Sequence, residues 1–243
     1  MEEISLIIRF KNRILTVEEY IEFSKIILIK LENIHPIFQN LFGWGHEINL
    51  LSNFKLDKND FKEVVFNQIN DKDIAYNNID SNNKDMHLDS RSWIDFSNSY
   101  SNTKKQEDGQ ITVKISCGGT TSKTGSLIID FPIYNYPEFK KYTFVSNLMK
   151  ICIGLFDDVE YAVVISNLFR RKVRSEKTNM WIGWITYIPN ISVFNILPSF
   201  IHKEYFNKGV LFSFSEIPPL IQNKDVEVAI RIRNELQIRG ILS

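Results

Sequence analysis

Cysteine is nearly absent from this chain: 243 residues hold two, Cys117 and Cys152. Two thiols cannot make the disulfide framework of a small secreted domain. One ends a predicted strand and the other lies in an apolar helix, so both read as buried thiols. The four histidines, His35, His46, His87 and His202, are scattered, with no partner four residues on and no paired-cysteine spacing, which excludes the common zinc motifs. No serine stands in a Gly-x-Ser-x-Gly elbow. Net charge is missing too: 29 Lys and Arg balance 29 Asp and Glu, whereas a nucleic-acid-binding domain is distinctly basic. No apolar run approaches the roughly 18 residues of a membrane span. The longest, around Leu148 to Phe156, is broken by Lys150 and stopped by Asp157-Asp158. The opening Met1-Glu2-Glu3 is acidic where a signal peptide starts basic. The expectation is a soluble cytoplasmic protein.

What is present is a globular composition, 44% hydrophobic with few glycines and prolines. Ile4 to Phe10 reads as a first strand. Thr16-Val17-Glu18-Glu19 is a capping box that opens a helix from Val17 to about Ile34, with Tyr20, Phe23, Ile27 and Leu31 toward the core. His35-Pro36 stops it. Ile37 to Trp44 reads as a second strand, Asp60 to Ile69 as a short helix, and the Asn- and Asp-rich residues 70–89 as a long surface loop. Strands follow at Ser92 to Asn98, Gln110 to Cys117 and Ser126 to Phe131, the last two forming a hairpin. A helix with Pro137 in its first turn ends near Asp157. Val159 to Phe169 reads as a strand or mixed element, Arg170 to Arg174 as a basic loop, and Val210 to Phe214 as a strand after an irregular stretch. A last helix, Val226 to Ile238, turns Val226, Ile230 and Leu236 inward.

The segment from Met180 to Ile188 is apolar on both alternating faces, so it must be covered on both and reads as a central strand. Together these elements predict the α+β class: a mostly antiparallel twisted sheet with three or four helices, among them a long N-terminal and a C-terminal helix. With no clear linker, residues 1–243 read as one domain.

Chemistry is hard to find. Gly118 to Gly125 has the look of a phosphate loop, but Ser122 stands where a P-loop needs glycine before its lysine, and the segment joins two strands. Asp130, Glu138 and Lys140 form a compressed version of the Asp…Glu-x-Lys set by which nucleases hold a divalent metal and polarise water. Pro132 and Pro137 break the strand that this set requires. Arg170 to Arg174 could contact an acidic partner or a phosphate, and Asp157, Asp158 and Glu160 a basic one. Charge is unevenly spread: residues 1–120 hold 14 Lys and Arg against 18 Asp and Glu, and residues 121–243 hold 15 against 11.

Several segments together resemble the immunity protein 52 family of bacterial polymorphic-toxin and type VI secretion systems. They are the early strand and long helix, His35-Pro36-Ile37-Phe38 leading to Trp44-Gly45, and above all the run Gly183-Trp184-Ile185-Thr186-Tyr187-Ile188-Pro189. Leu197-Pro198, Gly209 to Phe212, and the ending from Val226 through Gly240-Ile241-Leu242 are also similar. Ser243 stands where the family often has a second proline, and residues 53–108 match little. The resemblance implies a non-enzymatic protein without cofactor or metal. It would bind a cognate secreted toxin, of a nuclease type, and inhibit it by stoichiometric protein–protein contact. Trp44, Gly183, Trp184, Tyr187 and Pro189 would be its structural motif. The acidic surface facing the toxin would include Asp85, Asp89 and Asp95, supported by Asp57, Asp60 and Glu63, or the set Asp157, Asp158 and Glu160. The alternatives are a divalent-metal nuclease using Asp130, Glu138 and Lys140, or a non-catalytic adaptor.

Overall fold

The computed structural model describes residues 2–39, 41–43, 61, 65, 96–103, 105–120, 122–175, 180–219 and 224–242. Among the described residues lie nine strands and five α-helices, an α+β chain. It divides into two compact units, Met1–Arg9 with Asp130–Ser243, and Phe10–Ile129. The first strand, β1, is Ile4–Lys11, and its last two residues fall in the Phe10–Ile129 unit.

In that unit, α1 is Val17–Glu32 and opens on the expected capping box. Thr16 Oγ1 accepts from the Glu19 amide at 3.2 Å, and Glu19 Oε2 accepts from the Thr16 amide at 2.8 Å. Buried Tyr20, Ile21, Ser24, Ile27, Leu28 and Leu31 recur at helical spacing, while Phe23 is half-buried. The helix stops at Glu32, short of Ile34, and Asn33 Nδ2 caps the Ile29 carbonyl at 3.0 Å.

His35-Pro36 does end the helix, but the next element is a 3-10 turn, Pro36–Phe38, in which His35 Nδ1 accepts from the Ile37 amide at 3.2 Å. The expected strand from Ile37 to Trp44 therefore shrinks to β2, Phe42–Gly43. Proline's fixed φ and missing amide favour the turn over a ladder. Then come β3 Phe96–Ser101, β4 Thr112–Cys117 and β5 Thr124–Asp130. The order in this unit is β2-β3-β4-β5, with β2–β3 and β3–β4 antiparallel. Ile111, Val113 and Ile115 share one buried face, as their alternation predicts. Tyr20 stacks on Phe96 at 4.7 Å and donates to the Ile115 carbonyl at 3.0 Å, tying α1 to the sheet. Gly118 sits at φ +92, where a side chain would be strained and a Cβ would press on Phe96. Phe61 and Val65 are helical and buried. The rest of the Asp60 to Ile69 helix, the loop 70–89, Trp44 and Trp93 lie outside the described residues.

The other unit contains α2 Tyr142–Ile153, β6 Val159–Ser166, α3 Asn167–Val173, β7 Ile185–Ile188, α4 Val193–Ile196, β8 His202–Phe206, β9 Gly209–Ser213 and α5 Lys224–Ile238. Its strand order is β1-β6-β7-β9-β8, and the β6–β7, β7–β9 and β8–β9 pairings are antiparallel. All four positions of β7 are buried, so the strand is covered on both faces as expected, although the ladder begins only at Ile185.

Four further expectations change here. Pro137 opens its own 3-10 turn, Pro137–Lys140, and α2 starts after it at Tyr142. The basic segment is helical rather than a loop, because Ser166 Oγ caps the Phe169 amide at 3.2 Å and Phe169 and Val173, one turn apart, are buried. That helix and the short α4 raise the helix count above the expected three or four. The inward face of α5 is Ala229, Ile232 and Leu236, with Val226 and Ile230 only half-buried.

Candidate functional site

The glycine and tryptophans before β7 are held by specific contacts. A Cβ on Gly183 would collide with the Val164 carbonyl oxygen and lie 2.5 Å from Val163 Cγ2, so only glycine lets this segment pass against β6. The Gly183 amide donates to Thr186 Oγ1 at 3.1 Å. Trp184 is buried and its Nε1 donates to the Ser215 carbonyl at 2.9 Å, while Ser213 Oγ donates to the Trp184 carbonyl at 2.7 Å. Tyr187 is buried with its ring edge-on to Phe206 at 6.0 Å, and burial pushes its phenol pKa up. Pro189 is exposed. Trp184, Tyr187 and Gly183 are therefore packing residues.

Trp181 is not part of the core, contrary to its apolar pattern. It is half-buried, and the guanidinium carbons of Arg9 and Arg170 lie 5.1 and 5.2 Å from its ring centroid. Its main chain is pinned by one hydroxyl: Tyr161 Oη accepts from the Trp181 amide at 2.9 Å and donates to the Trp181 carbonyl. Burial drives the Tyr161 phenol pKa far up, partly offset by its hydrogen bond with the Trp181 main chain and then by the Arg9 charge.

The helical turn of α3 is what brings Arg170 to the ring. Glu2 Oε1 accepts from the Leu168 amide at 2.8 Å at its start. At its end Arg233 Nη1 donates to the carbonyls of Val173 at 2.5 Å and Arg174 at 3.1 Å. Arg171, Lys172 and Arg174 project from the same short element and are exposed.

A second surface surrounds β8, which pairs with β9 on one side and ends the strand order. Tyr205 stacks on Phe194 at 4.2 Å yet is 59% exposed, and Phe200 and Ile191 are 65% and 62% exposed. Lys203 Nζ donates to the carbonyls of Phe194 and Leu197 at 2.7 and 2.8 Å, which fixes α4 beside the strand. Lys150 of α2 pairs with Glu204 at 2.8 Å. A cleft of about 310 Å³ beside β8 is lined by Tyr142, Phe200, His202, Phe214 and Glu216, among others. Sequence reasoning missed this strand. Its signal was the short turn Asn207-Lys208 before Gly209, with Asn207 at φ +48.

Asp157 and Asp158 are exposed on the turn from α2 into β6, and Glu160 is exposed at the second position of β6. Asp85, Asp89 and Asp95 lie outside the described residues, as do Asp57, Asp60 and Glu63. Asp130 accepts from Ser5 Oγ at 2.6 Å. Its carboxylate neighbour is Glu3, whose pKa is raised first by burial and then by the Asp130 charge. Lys140 Nζ donates to the Ile133 carbonyl at 3.0 Å, and Glu138 lies in the 3-10 turn beside it. Among the described residues no group of three or more His, Cys, Asp or Glu could hold a metal ion. No described helix is long and apolar enough to cross a membrane.

No family model and no curated protein matches the chain. Among solved structures it is similar to the Pseudomonas aeruginosa T6SS protein PA0821, at 11% identity and a TM-score of 0.57, over 97% of this chain and 73% of that one. At this identity the likeness establishes a shared fold.

Proposed function

We propose that this protein is an immunity protein of a bacterial contact-competition system. It binds a cognate secreted toxin, a nuclease, and neutralises it by stoichiometric inhibition. The observation that carries the reading is the fold it shares, over nearly its whole length, with a protein named for the type VI secretion system. The resemblance of its Gly183 to Pro189 segment to immunity proteins of such systems points the same way.

The surface chemistry is that of a binding protein. Tyr205, Phe200 and Ile191 expose large apolar area around an edge strand, and a tryptophan flanked by two arginines lies in the same unit. Exposed aromatic and arginine side chains are the residue types that dominate interface energetics. Cover by a folded partner would remove Tyr205 and Phe200 from water and leave the toxin's active cleft closed to substrate.

Co-expression tests the reading. Cells that make the cognate toxin should survive when this chain is made with it, and the two proteins should co-purify at a one-to-one ratio. Survival unchanged by a well-expressed, folded chain would refute it.

A further inference from the structure

Among the described residues, five cations of the Asp130–Ser243 unit and its N-terminal strand have no acidic partner. Arg9, Arg170, Arg171, Lys172 and Arg174 make no ion pair among the described residues, and no side-chain donor of these five makes a hydrogen bond there. Two of them share one ring: the guanidinium carbons of Arg9 and Arg170 stand at 5.1 and 5.2 Å from the Trp181 centroid. A guanidinium that contacts a ring through its face keeps its in-plane N–H donors for another acceptor. Gathering like charges around one indole raises the local positive potential, and the weak cation–π attraction at a half-exposed ring offsets only part of that. The ring contacts bias the Arg9 and Arg170 guanidiniums toward one position before any ligand arrives, which lowers the ordering cost of binding. The arrangement is built for an anion.

Nucleic acid fits it poorly. Two guanidiniums already lie against the Trp181 ring, which competes with base stacking on it. The chain as a whole is neutral, with 29 charges of each sign, so it lacks the extended basic field that tracks a phosphate backbone. A few preset guanidiniums beside a half-buried aromatic match the paired oxygens of carboxylates on a protein surface.

We infer that the Arg9–Trp181–Arg170 cluster, extended by Arg171, Lys172 and Arg174, is the docking surface for a carboxylate-rich patch on the toxin. This inference rests on the immunity reading and names the chemistry of the partner's surface. It also moves the charged contact away from the acidic residues that sequence alone singled out.

The test uses the full chain, the charge-swapped variant R171E/K172E/R174E, whose three positions are exposed, and the milder R170Q. Each is titrated with the toxic domain, with a short glutamate-rich peptide and with a DNA duplex, and circular dichroism checks the fold. The native chain should prefer the peptide to the duplex, with affinity falling as salt rises. Both variants should keep the native spectrum and bind the toxin about tenfold more weakly or worse. If the charge swap unfolds the chain, R170Q alone decides. Unchanged toxin affinity in a folded variant, or preference for the duplex, overturns the inference, and continued rescue by the native chain then leaves the immunity reading standing. Failure of the native chain to bind or rescue sinks that reading instead.

Discussion

At the scale of single residues, burial rather than reactivity explains what stands out. Gly183 is a glycine because the β6 backbone lies where a Cβ would go. Gly183→Ala should therefore destabilise the protein by about 2 kcal/mol or more, as overpacking against backbone does, read as a lower urea midpoint at unchanged slope. Cys152 is fully buried, and desolvation pushes its thiol from its ordinary 9.0 up to about 12. Its folded pKa is raised, so the neutral thiol contributes full stability below pH 9 and that contribution is lost as pH rises toward 12. In this window the unfolded chain has released a proton that the folded chain retains. Stability should fall by about 1.4 kcal/mol per pH unit from this group. Urea titrations between about pH 9 and 10, below the range in which buried tyrosines such as Tyr161 add a loss of the same sign, should show that slope, and Cys152→Ala should remove it there. An equal slope in the variant would assign the loss to other groups.

At the scale of elements, local rules hold best where one residue decides the outcome. The Thr16 capping box sets the start of α1, and Thr16→Ala should cost about 1 kcal/mol, measured as a shift in the urea midpoint. Such signals were legible in the sequence: the cap, the alternation of Ile111, Val113 and Ile115, and the two-sided burial of Ile185 to Ile188. β8 was not legible, because His202, Lys203 and Glu204 put three charged or polar side chains in a row. An edge strand keeps its place by pairing on one side and carries charge on purpose, so its periodicity is weak. The helical state of Arg170 to Val173 was hidden for a related reason. Its helix is one of the shortest and leans on Ser166 and Phe169 before it and on Arg233 far along the chain.

At the scale of the whole molecule, the candidate site depends on contacts distant in sequence. Arg9, Arg170 and Trp181 meet because residues 1–9, α3 and the segment before β7 belong to one compact unit. The sequence displayed the basic run and the tryptophan separately, with nothing to join them, so Trp181 read as core and the run as a loop. The same holds for the rim of Tyr205, Phe200 and Ile191, which only the fold of α4 against β8 assembles. The central claim is that these surfaces serve to capture a toxin, and cell survival tests it most directly. Cells producing the cognate toxin should grow normally when this chain is co-expressed. Death at the rate of cells lacking the chain, with the chain present and folded, would contradict the account.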